Sequence, residues 1–198
     1  MSIEAGLRSE VDRKGDTSLK IAWGITGSGD RIEETVEFME QIKERYNLDI
    51  VPYASKEGEV VLKFYKLLNR VKEGFPGYKV ERSSNAPFLA AKLQMGEYDL
   101  FIICPATANT VAKIAHGIAD SLLSNSAAQA MKVGVPVYIY PVDQKVGEMT
   151  TILPDGREMK LKIREEDVKN TDALRDMEGM TVLNTIDEIE GVVSEWKK

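Results

Sequence analysis

The chain is poor in the residues that most often carry reactive chemistry: among 198 residues there is one cysteine, Cys104, and one histidine, His116. A lone cysteine excludes an intrachain disulfide and any all-cysteine zinc or iron–sulfur site within one subunit. It ends the apolar run Leu100-Phe-Ile-Ile-Cys104, where a free thiol behaves as a small hydrophobe, although it adjoins the loop that follows. Charge is not concentrated in one sign: 26 Lys and Arg face 32 Asp and Glu, giving a formal net charge of -6. No basic stripe is interleaved with aromatics, so nucleic acid is not an expected partner. No apolar run approaches the length of a membrane span, so no membrane association is expected. Residues 1–18 lack an apolar leader segment and read as a polar, flexible arm, and the expected location is cytoplasmic.

What is present is an alternation of short apolar runs with amphipathic stretches. Leu19 to Ile25, Asp49 to Tyr53, Leu100 to Cys104 and Val135 to Tyr140 read as strands. Between them, helices are predicted over Ile32 to Tyr46, Val60 to Val71, Pro87 to Met95, Asn109 to His116 and Leu122 to Lys132. Asp30 is the expected cap of the first of these, with Glu33 at capping-box spacing. The second should bury Val60, Phe64, Leu67, Leu68 and Val71 on one face, and Tyr78 to Arg82 forms a minor strand. The alternation is that of a doubly wound parallel sheet, a Rossmann-like or flavodoxin-like three-layer α/β sandwich. After Pro141 the pattern changes. Met149 to Leu153 and Arg157 to Ile163 flank Pro154-Asp-Gly156 and predict a projecting β-hairpin at about 149–163. A helix over Asp167 to Met177, a strand Thr181 to Leu183 and a closing helix from Ile186 to Trp196 complete one domain over 19–198.

Two strand-to-helix loops stand out chemically. Pro105-Ala-Thr-Ala-Asn-Thr110 follows a buried strand with short hydroxyl and amide side chains, and its alanines admit a flat ring. Thr26-Gly-Ser-Gly29 joins the first strand to its helix, with glycines for close backbone approach and a helix N-terminus that favours an anion. Its spacing fits neither a P-loop nor a G-x-G-x-x-G fingerprint. In a doubly wound sheet the two loops can flank the crevice at which the strand order reverses. Ser55 caps the helix beginning near Lys56, Asn109 caps its own, and Asp120 caps the helix from Ser121 to Lys132. His116 precedes Gly117 at a helix end, a structural position rather than a catalytic one. Trp23 and Tyr53 read as core.

The peptide Pro105–Thr110, continued by Lys113-Ile-Ala-His-Gly-Ile-Ala-Asp120, resembles the P-[AS]-[ST]-A-N-T and K-I-A-x-G-I-A-D segments of the homo-oligomeric flavin-containing cysteine decarboxylases and their redox relatives. The resemblance covers about residues 19–141. It implies FMN as cofactor, with Gly27, Ser28 and Gly29 at its phosphate. Ser55 would hydrogen-bond it, and Ala106, Thr107, Asn109 and Thr110 would meet the ribityl chain and ring. Thr26, Pro105 and Asp120 complete the candidate set, and no catalytic residue or metal ligand is assigned.

Two family signatures are missing. The segment Ser83–Leu93 holds no histidine, and Tyr140-Pro-Val-Asp-Gln-Lys-Val-Gly147 lacks the Met-Asn and tryptophan of the decarboxylase clamp. The flavin site remains while the decarboxylase chemistry does not. Within the family the opening Ala22-Trp-Gly-Ile-Thr-Gly27 and the hairpin resemble the archaeoflavoprotein subgroup. That likeness implies an electron-transfer protein or oxidoreductase fed by a ferredoxin-type donor, assembled as a homotrimer or a multiple of trimers. A dihydromethanopterin-reductase-like activity on a pterin or quinone is the alternative, with cysteine decarboxylation ranked behind it.

Overall fold

The computed structural model describes residues 18–196, and the expected N-terminal arm lies outside them apart from Ser18. In chain order the elements are β1 (Lys20–Ile25), α1 (Ile32–Tyr46), β2 (Asp49–Ala54), α2 (Lys56–Phe64), α3 (Leu68–Gly74), β3 (Lys79–Val80), α4 (Leu89–Gln94) and β4 (Leu100–Ala106). They continue with α5 (Ala108–Ala115), α6 (Leu122–Lys132), β5 (Val137–Pro141), β6 (Gly147–Ile152), β7 (Glu158–Ile163), α7 (Glu165–Arg175), β8 (Met180–Val182) and α8 (Glu188–Trp196).

Six parallel strands form one sheet in the order β3-β2-β1-β4-β5-β8, while β6 and β7 pair antiparallel as a separate hairpin. Such a sheet is covered on both faces, and its strands alternate accordingly. Ile21, Trp23, Ile25, Ile102 and Cys104 face a core built with α1, α2, α3 and α8. Ala22, Phe101, Ile103, Val137 and Ile139 face the opposite core with α4, α5, α6 and α7. The strand order turns back between β1 and β4, which places their C-terminal loops side by side.

Four local expectations change, the first being that Thr107 rather than Asn109 caps α5. The helix predicted over 60–71 is two helices, broken where Lys66 takes φ 59°. Consequently Val60 and Phe64 face solvent at 56% and 58% exposure, and Leu62, Leu67 and Val71 carry the burial instead. Asp30 does not cap α1; Arg31, at φ 61°, occupies the N-cap position with no side-chain cap bond. Asp120 does not cap α6 either. Ser121 does, in a reciprocal pair with Ser124, because it is the residue directly before the helix in extended backbone.

Close packing of α2 fixes the loop after β1. A Cβ on Gly58 would stand 2.4 Å from the Ile25 carbonyl oxygen. Gly58→Ala should therefore force the first turn of α2 off the end of β1. Overpacking of this kind costs about 1–3 kcal/mol. Urea denaturation should show a lowered midpoint at unchanged slope.

Candidate functional site

Thr26 joins the two loops. Its Oγ1 donates to the Pro105 carbonyl at 2.7 Å and accepts from the Thr107 backbone N–H at 3.0 Å. Its own N–H reaches the same carbonyl at 3.4 Å. Thr26 is buried at 1% exposure, so these bonds form away from competing water. On the face toward α1, the Trp23 indole N–H donates to the Cys104 carbonyl at 2.7 Å. Both loop bases are thus held by hydrogen bonds between β1 and β4.

Above this seam lies a cavity of about 410 Å³ lined by Gly27, Ser55, Lys56, Glu57, Glu81, Thr107, Asn109, Thr110, Lys113 and Ser121. Three of these residues are helix N-caps. Ser55 accepts from Gly58 N–H at the start of α2, Thr107 from Thr110 N–H at the start of α5, and Ser121 from Ser124 N–H at the start of α6. Three helix N-termini therefore converge on one cavity, each presenting backbone N–H groups that have no partner inside the helix. Lys113 adds a cation, held by Asp120 at 2.8 Å. The donor set of hydroxyls, an amide, an ammonium and helix N-termini suits a phosphate and a polyhydroxylated chain, and the volume falls within the range of cofactor pockets.

The sequence-derived candidates divide into two groups. Gly27, Ser55, Thr107, Asn109 and Thr110 line the cavity. Thr26, Pro105 and Ala106 lie buried beneath it, and Asp120 reaches it only through Lys113. Ser28 is buried, with its hydroxyl donating to the Asp30 carbonyl at 3.2 Å. Gly29 lines a different groove beside Tyr65 and β6. Gly27 also serves packing: a Cβ there would meet Glu57 Cβ at 2.7 Å. Lys56, Glu57, Glu81, Lys113 and Ser121 were not singled out from sequence. Ser121 carries a signal in its cap position before an apolar helix, and Lys113 lies within the family segment. Glu81 carries none, because its place depends on a distant strand.

A second cavity, of about 530 Å³, opens at the ends of β5 and β8 next to the start of α1, under the hairpin. It is lined by Asp30, Arg31, Lys145 and Arg175 with Tyr140, Val142, Gln144, Met149, Ile163, Asn184 and Thr185. The Gln144 amide donates to the carbonyls of Pro141 and Leu183 and accepts from Arg175, so its polar atoms serve the fold. Burial raises the carboxyl of Asp30 above its ordinary range. Burial, with Asp167 and Asp30 nearby, does the same for Asp143. Cys104 is fully buried and its thiol is pushed up to about 12 by desolvation, which leaves it an inert core group. The His116 ring pairs with the Asn170 side chain at 3.1 Å on the surface.

Replacing Thr26 with valine keeps the shape and removes the hydroxyl. The Thr107 N–H and the Pro105 carbonyl then lose their shared partner, at a cost of about 1–3 kcal/mol. Thermal unfolding should show a lowered midpoint for Thr26→Val and a near-native one for Thr26→Ser.

The family described as Flavoprotein matches residues 9–198. An uncharacterized protein of Methanocaldococcus jannaschii is 54% identical over 175 residues, covering 88% of this chain and 94% of that relative. The dihydromethanopterin reductase (acceptor) of the same organism is 38% identical over 157 residues, which covers 74% of this chain but 64% of the reductase's length. Among solved structures, Burkholderia xenovorans DmrB in complex with FMN, described as a cubic protein cage for redox transfer, superposes with a TM-score of 0.77. It shares 28% identity, over 92% of this chain and 97% of the other. The chain belongs to the Flavoprotein family.

Proposed function

We propose that this chain is an FMN-binding redox flavoprotein that takes electrons from a ferredoxin-type donor and passes them to a separate acceptor. The observation that carries this reading is the convergence of three capped helix N-termini and their hydroxyls on one cavity at the sheet's reversal point. Membership of the Flavoprotein family and 28% identity to FMN-bound DmrB name the ligand that such a cavity suits. Bound FMN supplies one-electron and two-electron chemistry, which is what joins a one-electron donor to a two-electron acceptor. The residues of the chain bind and orient. Ser55, Thr107, Thr110 and Ser121 offer hydroxyls, Asn109 an amide, and Lys113 a positive charge, while Thr26 holds the loops that carry them. The single cysteine is buried in β4, so this chain's own residues hold no cysteine-ligated cluster, and the reading assigns the electrons to a separate protein donor.

Decarboxylation is disfavoured by the same residues. Gln144, at the position of the family clamp, directs its amide to backbone carbonyls, and no histidine stands between Ser83 and Leu93. A reductase activity on a pterin or quinone is the second reading. It draws on the 38% identity to dihydromethanopterin reductase and on the second cavity, which is large enough for an organic acceptor and rimmed by Arg31, Lys145 and Arg175. Among the described residues no helix is long and apolar enough to cross a membrane.

Assembly is expected to complete the site. A cavity open to solvent does not bury a flavin ring fully, and a neighbouring copy would exclude the remaining water. A cubic cage such as that described for DmrB has three-fold axes, which favours a homotrimer or a multiple of it here.

Titration of purified protein with FMN, followed by the visible spectrum, tests the reading. One flavin per chain, reducible by ferredoxin and reoxidised by an added dihydropterin or quinone acceptor, is the expected result. Light scattering of the loaded sample should give a multiple of three chains of 22.1 kDa. Protein that takes up no FMN, or that holds it tightly as a monomer, would overturn the cofactor or the shared-site part respectively.

A further inference from the structure

Glu81 stands one residue past β3, the short edge strand, and its backbone N–H continues the pairing by donating to the Ala54 carbonyl at 2.9 Å. That bond fixes where its side chain starts. The carboxylate then spans two helices. Oε2 accepts from the Lys56 N–H at 3.2 Å, the first residue of α2, and Oε1 accepts from the Leu122 N–H at 2.9 Å, the first residue of α6. Glu81 is half-buried and lines the cavity of the candidate site.

Negative charge is favoured at a helix N-terminus, and here one carboxylate satisfies two of the three N-termini that face the cavity. Those N–H groups are the donors that a phosphate entering the cavity would also use. Of the other charged groups lining the cavity, Lys56 and Lys113 are cations, the latter engaged by Asp120, and among the described residues no hydrogen bond joins the Glu57 carboxylate to either helix start. We infer that Glu81 is the site's internal anion, holding the starts of α2 and α6 together while limiting how tightly a phosphate-bearing ligand is bound. This inference rests on the FMN reading for the identity of the ligand, though not for the identity of the competing group.

The physical reason is electrostatic. A carboxylate that already holds the helix-start N–H groups competes with a phosphate for them and repels it at that close range, and this acts on the phosphate rather than on the uncharged flavin ring or ribityl hydroxyls. Glu81 therefore discriminates by phosphate. Cofactor held less tightly than three helix N-termini permit is cofactor whose retention depends on a neighbouring subunit, by mass action.

Three ligands and two variants test this: FMN, riboflavin and inorganic phosphate, against Glu81→Gln and Glu57→Gln, with far-ultraviolet dichroism to establish that each variant is folded. Glu81→Gln should bind FMN and inorganic phosphate at least tenfold more tightly than the unmodified chain, with riboflavin affinity within twofold. Glu57→Gln should change FMN affinity by less than threefold. If Glu81→Gln weakens FMN and riboflavin alike, the carboxylate is an acceptor for ribityl hydroxyls and the inference fails. Equal tightening by Glu57→Gln, or no change in Glu81→Gln, also overturns it, since general charge or no competition would then be at work. Should the unmodified chain take up no FMN, the flavin reading falls while the inorganic phosphate titration still decides the role of Glu81. Tighter phosphate binding by Glu81→Gln would sustain it, and unchanged binding would refute it.

Discussion

The hydroxyl of Thr26 donates to one residue of the β4 loop and accepts from another, and the geometry of the candidate site descends from that pair of bonds. Parallel sheet pairing brings β1 and β4 together only as far as Gly24 and Ile103. Beyond that point Pro105 has no N–H to offer a ladder, and the Thr26 side chain reinforces the one long backbone bond that remains. A threonine suits the task because one oxygen serves both directions while the side chain stays buried. The fold thereby brings two chemically different loops into one crevice without a charged residue at their base.

Around that seam the architecture supplies positive potential from helix N-termini as well as from Lys56 and Lys113. A chain with a formal charge of -6 builds an anion-attracting cavity by aiming three helix N-termini at one point. Hydroxyl caps at Ser55, Thr107 and Ser121 suit this use, since they satisfy backbone donors without bringing a formal negative charge. Glu81 is the exception, and it ties the edge strand β3 to two of those helices. The second cavity, with its cationic rim and half-buried Asp30, shares the start of α1 and lies under a hairpin that takes no part in the main sheet.

Much of this was legible in the chain itself, for identifiable reasons. The helices Ile32–Tyr46 and Leu122–Lys132 were readable to the residue because apolar spacing, flanking polar residues and turn signals agree. The doubly wound order follows from the alternation of strands and helices, and Thr107, Asn109 and Thr110 were visible as small polar residues after a buried strand. The break at Lys66 was not legible, because Val60 and Phe64 have the spacing of a buried face yet lie exposed. Capping was ambiguous for a similar reason: Asp120 and Ser121 are adjacent and both good cap residues, and only the backbone conformation beside them decides which one is used. Ser28 and Glu81 show the limit more sharply. Ser28 turns to its own loop, and Glu81 meets Leu122 across 41 residues of chain. The second of these is long-range geometry, which leaves no local trace.

A crystal structure of the protein grown with FMN tests the central claim most directly. The account predicts flavin density in the crevice between the Thr26 and Thr107 loops, with the phosphate among the hydroxyls of Ser55, Thr107, Thr110 and Ser121. Flavin density in the cavity between Arg31 and Arg175, with the crevice left empty, would contradict it.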